Sequence, residues 1–219
     1  MRRLAVLGAF VLVLVVLGAA QLVLPGIAAQ RLRDRLARSG NVLEVQVHAF
    51  PAIELLWHHA DRVVVRMGRY RSTPGPLGAT VGQSADVGSL DASAQELDTG
   101  LLTLRNATLR KRGSVLTGSA EVTEADLRTA LPILQSVQPV ASGDGRLTLR
   151  GTATLFGVSA TIDASVVPRD GGLVVAPDVP LGGLATISVF NDPHIDIESV
   201  GASNVSAGSF SVSASGRLR

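Results

Sequence analysis

Residues 4–24 form an unbroken apolar run, and every later segment alternates or carries turns. The run, Leu4 to Leu24, is built almost wholly of Leu, Val, Ala and Gly, with Gln21 as its one strongly polar side chain. It follows Met1-Arg2-Arg3 directly. Two positive charges before ~20 apolar residues fit a membrane anchor or an export signal. Length favours the anchor, because a cleaved signal has a core of roughly 7–15 residues. Gly18-Ala19-Ala20 before Gln21 favours cleavage, being the small-x-small pattern of a peptidase site. Arg31, Arg33, Arg35 and Arg38 follow closely, which an anchor would prefer on its inner side. The chain therefore divides into a signal peptide or anchor, residues 1–24, and one domain, residues 25–219.

Ile27 to Ala37 predicts an amphipathic helix, with Ile27, Leu32 and Leu36 near one face and the arginines near the other. Asn41 to Ala49 alternates as a half-buried strand. Phe50-Pro51 breaks it, and Pro51 to Trp57 is an apolar corner. Strand resumes over Arg62 to Met67. Residues 71–85 are a Pro/Gly-rich loop. Strands are expected near 86–94, 101–110 and 114–122, with a turn at Lys111-Arg112-Gly113. Thr123 then caps a helix whose first turn carries Glu124 and Asp126, where the helix dipole favours acids. Its apolar positions run through Leu127, Leu131 and Leu134 to Val137, with Pro132 bending or breaking it. Further strands are expected over 147–156, 158–167, 173–176, 186–190, 195–200 and 205–217, with an Asp-Gly turn at Asp170-Gly171. Nine or ten strands with two or three helices imply a largely antiparallel α+β domain.

Composition narrows the function. Residues 1–40 carry six Arg and one Asp, whereas the rest carries 14 basic and 17 acidic residues. The folded body is slightly acidic, which argues against nucleic acid as a partner. There is no Cys, so disulfides, thiolate catalysis and Cys-based zinc sites are all excluded. Aromatic residues make up 3% of the chain. A body of Val, Leu, Ala, Thr, Ser and Gly strands either packs to ordinary density or leaves room for an acyl chain.

No catalytic constellation stands out. His58-His59 are adjacent and diverge, no HExxH is present, and no GxSxG elbow occurs. Asp192, His194, Asp196 and Glu198 match no cation loop and are expected to be a solvated face. No metal, cofactor or catalytic residue is assigned.

The order of elements carries a resemblance. A basic amphipathic helix leads to a strand ending in Phe50-Pro51, then Ile53-Glu54-Leu55-Leu56-Trp57 and Asp61-Arg62-Val63-Val64-Val65. Later come Ala120-Glu121-Val122-Thr123-Glu124-Ala125-Asp126-Leu127 and a closing Gly-punctuated strand, Val205 to Gly216. Over about residues 25–219 this resembles the actinobacterial LmeA-like phospholipid-binding family. The resemblance implies a curved, largely antiparallel sheet wrapping one or two helices, similar to tubular lipid-binding folds. It implies an extracytoplasmic place in the cell envelope, in lipid handling or envelope glycolipid assembly, and it brings no catalytic residues.

Two groups are expected to serve such a role. Phe50, Ile53, Leu56 and Trp57 at the corner, with Leu127, Leu131, Leu134 and Val137 on the second helix, would contact lipid. Arg31, Arg33, Arg35 and Arg38 would hold the membrane surface. The rival expectation is a structural or scaffolding envelope protein with a filled core and no ligand.

Overall fold

The structure is a computed structural model that describes residues 21, 23–52, 55, 59–71, 86–100, 102–130, 134–155, 158–178 and 186–219. Twelve strands and two helices lie among them. Helix α1 covers residues 23–36, with Gln21 also helical. It is followed by β1 (Gly40–His48), β2 (Ala60–Arg71), β3 (Val87–Asp98), β4 (Thr103–Arg112) and β5 (Val115–Thr123). Helix α2 (Glu124–Ala130) leads into β6 (Leu134–Gly143), β7 (Arg146–Leu155), β8 (Val158–Arg169) and β9 (Gly172–Pro177). The short β10 (Ile187–Phe190) precedes β11 (Ile195–Ser206) and β12 (Ser209–Leu218).

These strands form two open sheets. One has seven strands in the order β1-β2-β3-β4-β5-β12-β11, the other five in the order β10-β9-β8-β7-β6. Every pairing is antiparallel except β2 with β3. The expected α+β class with mainly antiparallel strands therefore holds, with β content higher than the alternation suggested.

Strand alternation explains the first core. Val63, Val65 and Met67 share one face of β2 and are buried with Ala60. Leu32 and Leu36, one turn apart on α1, pack against them, as do Leu90, Ala92 and Ala94 of β3. Two contacts pin α1 along this face. The Ala52 amide donates to Oε1 of Gln21 at 2.7 Å at one end. The Arg71 amide donates to the Ser39 carbonyl at 2.8 Å at the other. The second core joins the sheets: Leu147 and Val166 of the smaller sheet are buried with Val200 of β11.

β11 is an edge strand, and the smaller sheet's turns satisfy part of its free edge. The Val200 amide donates to the Gly145 carbonyl at 3.0 Å, and the Ile197 amide to the Gly171 carbonyl at 3.0 Å. The Ala202 amide donates to Oγ of Ser142 at 3.0 Å. A Cβ on Gly201 would lie 2.9 Å from that same Ser142 oxygen, so glycine permits the close approach.

Two expectations are corrected. The helix expected from Thr123 to Val137 ends at Ala130, and Leu134 and Val137 lie on β6. Pro132 lacks an amide hydrogen and restricts the residue before it, which ends the helical pattern. Beyond it the backbone pairs antiparallel with β7, Leu134 opposite Ala153 and Val137 opposite Gly151, with a register shift between Leu134 and Ser136. β6 is an edge of its sheet, where Pro139 is tolerated. The last hairpin also turns later than expected. The strand continues through Gly201 to Ser206, and Ala207-Gly208 makes the turn, with Gly208 at φ +72°.

Candidate lipid-binding site

The corner after β1 separates into a core contact and an exposed tip. Leu55 packs against the α1–β2 cluster. Phe50 is 78% exposed, and its amide donates to Oδ2 of Asp61 at 2.7 Å. Ala52 is fully buried. Ile53, Leu56 and Trp57 lie outside the described residues. Of the second expected group, Leu127 is half-buried on α2, and Val137 is buried on β6. α2 packs against β5 and β6, so these two belong to one region. Leu131 lies outside the described residues, and Leu134 is placed on β6 by its backbone pairing opposite Ala153. Phe50 and the α2–β6 residues thus occupy different parts of the molecule, and the described residues bring no single lipid cavity together around them.

Arg31, Arg33, Arg35 and Arg38 are all exposed, along α1 and the turn that follows it. Arg31 and Arg35 sit at i and i+4, a polar stripe beside the Leu32–Leu36 stripe, and Arg38 lies in the turn. The last of them enters a cleft that the alternation pattern had not revealed.

This cleft, of about 820 Å³, opens where β2 and β3 finish and β4 begins, beside the turn after α1. Arg38, Arg69, Arg71 and Arg105 line it, together with Asn41 and Glu96. Arg69 and Arg71 lie on β2 on either side of Tyr70, which packs against the α1–β2 cluster. Glu96 and Asp98 continue the row of Leu90, Ala92 and Ala94 along β3. The parallel register sets Arg69 opposite Glu96 and Arg71 opposite Asp98. Arg69 meets Glu96 at 3.0 Å and Arg71 meets Asp98 at 3.0 Å. Arg105 approaches Asp126 of α2 only to 3.9 Å. Arg38 has no hydrogen bond or ion pair among the described residues.

A bulge helps to shape this end. Gly40 pairs with Tyr70 and Val42 with Met67, so Asn41 faces both Gly68 and Arg69. Bulges of this kind re-aim side chains. The sequence did contain a signal: arginines at i and i+2 after an apolar row on one strand, and acids at i and i+2 on another. What it lacked was the register that brings them together.

Other charged groups are already engaged. Asp91 on β3 sits between Arg112 at 2.8 Å and Arg62 at 3.0 Å. The Arg112 hydrogen bond chiefly holds its carboxyl below the usual range. The Gly100 amide, then Arg71, lowers Asp98. Arg150 grips Asp163 through two hydrogen bonds of 2.7 and 2.8 Å and lowers it likewise. Lys111 is 1% exposed, donates to the Val87 carbonyl, and is lowered by burial. Asp192 is buried and accepts the His194 amide at 2.9 Å, so it is no solvated face. Asp196 pairs with Arg219 and Glu198 with Arg217. Among the described residues no group of three His, Asp or Glu converges as a metal site. Among them, too, no helix is long and apolar enough to cross a membrane.

Comparison with known families matches residues 15–193 to the family described as LmeA-like phospholipid-binding. The chain belongs to this LmeA-like family. The match begins inside the apolar run and reaches Pro193, so it takes in α1, the corner, the cleft and α2. The closing strand from Val205, part of the sequence resemblance, lies beyond it. No curated protein matches the chain. Among solved structures, the crystal structure of the Zhui aromatase/cyclase from a Streptomyces species is similar over 48% of this chain and 67% of that one. Its identity is 12% and its TM-score 0.20. That likeness is too slight to bear on the fold or function of this LmeA-like chain.

Proposed function

We propose that this protein is a non-enzymatic phospholipid-binding protein of the cell envelope, acting outside the cytoplasm in lipid handling or envelope glycolipid assembly. The family match over residues 15–193 carries the proposal. The apolar run at residues 4–24 supports export or anchoring at the cytoplasmic membrane. The mechanism is partition: protein replaces water around acyl chains, at about 0.8 kcal/mol per buried CH₂. The sheets would curve around the helices as in tubular lipid-binding folds, and the α1 arginines would meet anionic headgroups, each worth about 1 kcal/mol near the surface.

A scaffolding protein with a filled core is the second reading. Two packed apolar clusters and a cleft lined by charge favour it. Titration of the purified chain with a phospholipid bearing a fluorescent acyl chain separates the two. Saturable binding, displaced by unlabelled phospholipid, supports the lipid reading. No saturable uptake supports the scaffold.

A further inference from the structure

We propose that the cleft between the end of α1 and the ends of β2 and β3 binds a phosphate ester, with Arg38 as its uncommitted donor. The inference rests on the phospholipid reading for one of its two ligand sources, and on the cleft itself for the chemistry. Four guanidinium groups converge there, and three carboxylates, Glu96, Asp98 and Asp126, answer Arg69, Arg71 and Arg105. Of the four, Arg38 is the one without an ion pair among the described residues. A phosphate ester would meet Arg38 without displacing any existing pair.

The existing pairs prepare the site. Glu96 accepts from both Nε and Nη2 of Arg69, which fixes that guanidinium. Asp98 accepts from Nε of Arg71, which leaves both of its Nη groups for another acceptor. Arg105 is held only at 3.9 Å, so its fork is also available. Planar guanidinium forks match phosphate oxygens in pairs, and charge-assisted bonds of this kind are the strong ones. The volume of about 820 Å³ admits a glycerol phosphate with room to spare.

The cleft also has a direction. Gln21 sits beside the Phe50 corner, and Arg38 lies beyond the far end of α1, whose residues 23–36 span about 20 Å at ~1.5 Å per residue. A ligand in the cleft is therefore remote from the point where the apolar run enters the fold. The phosphate belongs either to a lipid already lifted out of that bilayer or to a free phosphate ester.

The test uses two probes on the purified chain: sn-glycerol 3-phosphate by calorimetry, with glycerol as control, and vesicles containing phosphatidic acid or, alternatively, diacylglycerol. Arg38→Gln should weaken glycerol phosphate binding at least tenfold, while Arg150→Gln, whose pair lies on the other sheet, should leave it unchanged. If Arg38→Gln also removes the preference for phosphatidic acid over diacylglycerol, the ligand is a lipid headgroup. If it abolishes glycerol phosphate binding but leaves lipid uptake intact, the cleft serves a free phosphate ester and lipid enters elsewhere. Normal binding of both probes by Arg38→Gln and by Arg105→Gln overturns the cleft while leaving phospholipid binding standing. Failure of the wild-type chain to bind either probe overturns both.

Discussion

The side chain of Gln21 accepts the backbone amide of Ala52 at 2.7 Å, across 31 residues of chain. Gln21 is the polar interruption of the apolar run, and Ala52 is fully buried. Helical backbone thus occurs at Gln21, ahead of the helix start expected at Ile27 and of the domain start expected at residue 25. A cleavage after Ala20 would leave this bond in place.

A chain shortened to begin at Gln21 should therefore fold, and one shortened to Pro25 should be less stable. Leaving a buried amide without an acceptor costs about 1–3 kcal/mol. Urea unfolding followed by circular dichroism measures the difference. Equal stability of the two would show that Gln21 does not hold the corner.

Phe50 and Val137 should respond in opposite ways. Val137 is 1% exposed, so Val137→Ala should lower stability by about 2–3 kcal/mol through its lost contacts and the cavity left behind. Phe50→Ala, at a side chain 78% exposed, should change stability by less than about 0.5 kcal/mol. If Phe50 is a lipid-facing tip, Phe50→Ala should still reduce binding to phospholipid vesicles. Trp57, the sole tryptophan, supplies the fluorescence signal. A vesicle-induced shift identical in Phe50→Ala and wild type would remove Phe50 from the membrane contact.

Much of this was legible in the chain. Val63, Val65 and Met67 announced a buried strand face, and Leu32 and Leu36 announced the helix stripe that covers it. The stretch after Pro132 was misread because Leu131, Leu134 and Val137 satisfy a helical spacing by coincidence, while the strand is fixed by its pairing with β7, which no local pattern states. Gly201-Ala202-Ser203-Asn204 looked like a turn because its residues are small and polar. It is strand because it pairs antiparallel with Phe210 to Ser213 of β12. The cleft depends on β2 and β3 running parallel. Nothing local to Arg69 or Glu96 states that.

Acid should unfold the protein through its carboxylate pairs. Asp91, Asp98 and Asp163 are all held below the usual carboxylate range. A folded value below the unfolded one gives stability that is present above the unfolded value and lost as pH falls through the folded one. The thermal midpoint should therefore be nearly flat from about pH 7 to 5 and fall below about pH 4, where carboxyls take up protons. Arg112→Gln combined with Arg150→Gln should lower the midpoint slightly at pH 7 and shrink the acid drop. An acid drop of undiminished size in the double variant would assign it to other groups.

The measurement that bears most directly on phospholipid binding is native mass spectrometry of the chain purified without added lipid, followed by extraction of whatever it carries. The account predicts a bound population heavier than the bare chain by the mass of a phospholipid, which dissociates to a phosphate-containing lipid. A single species at the mass of the bare chain, unchanged after incubation with phospholipid vesicles, would contradict it.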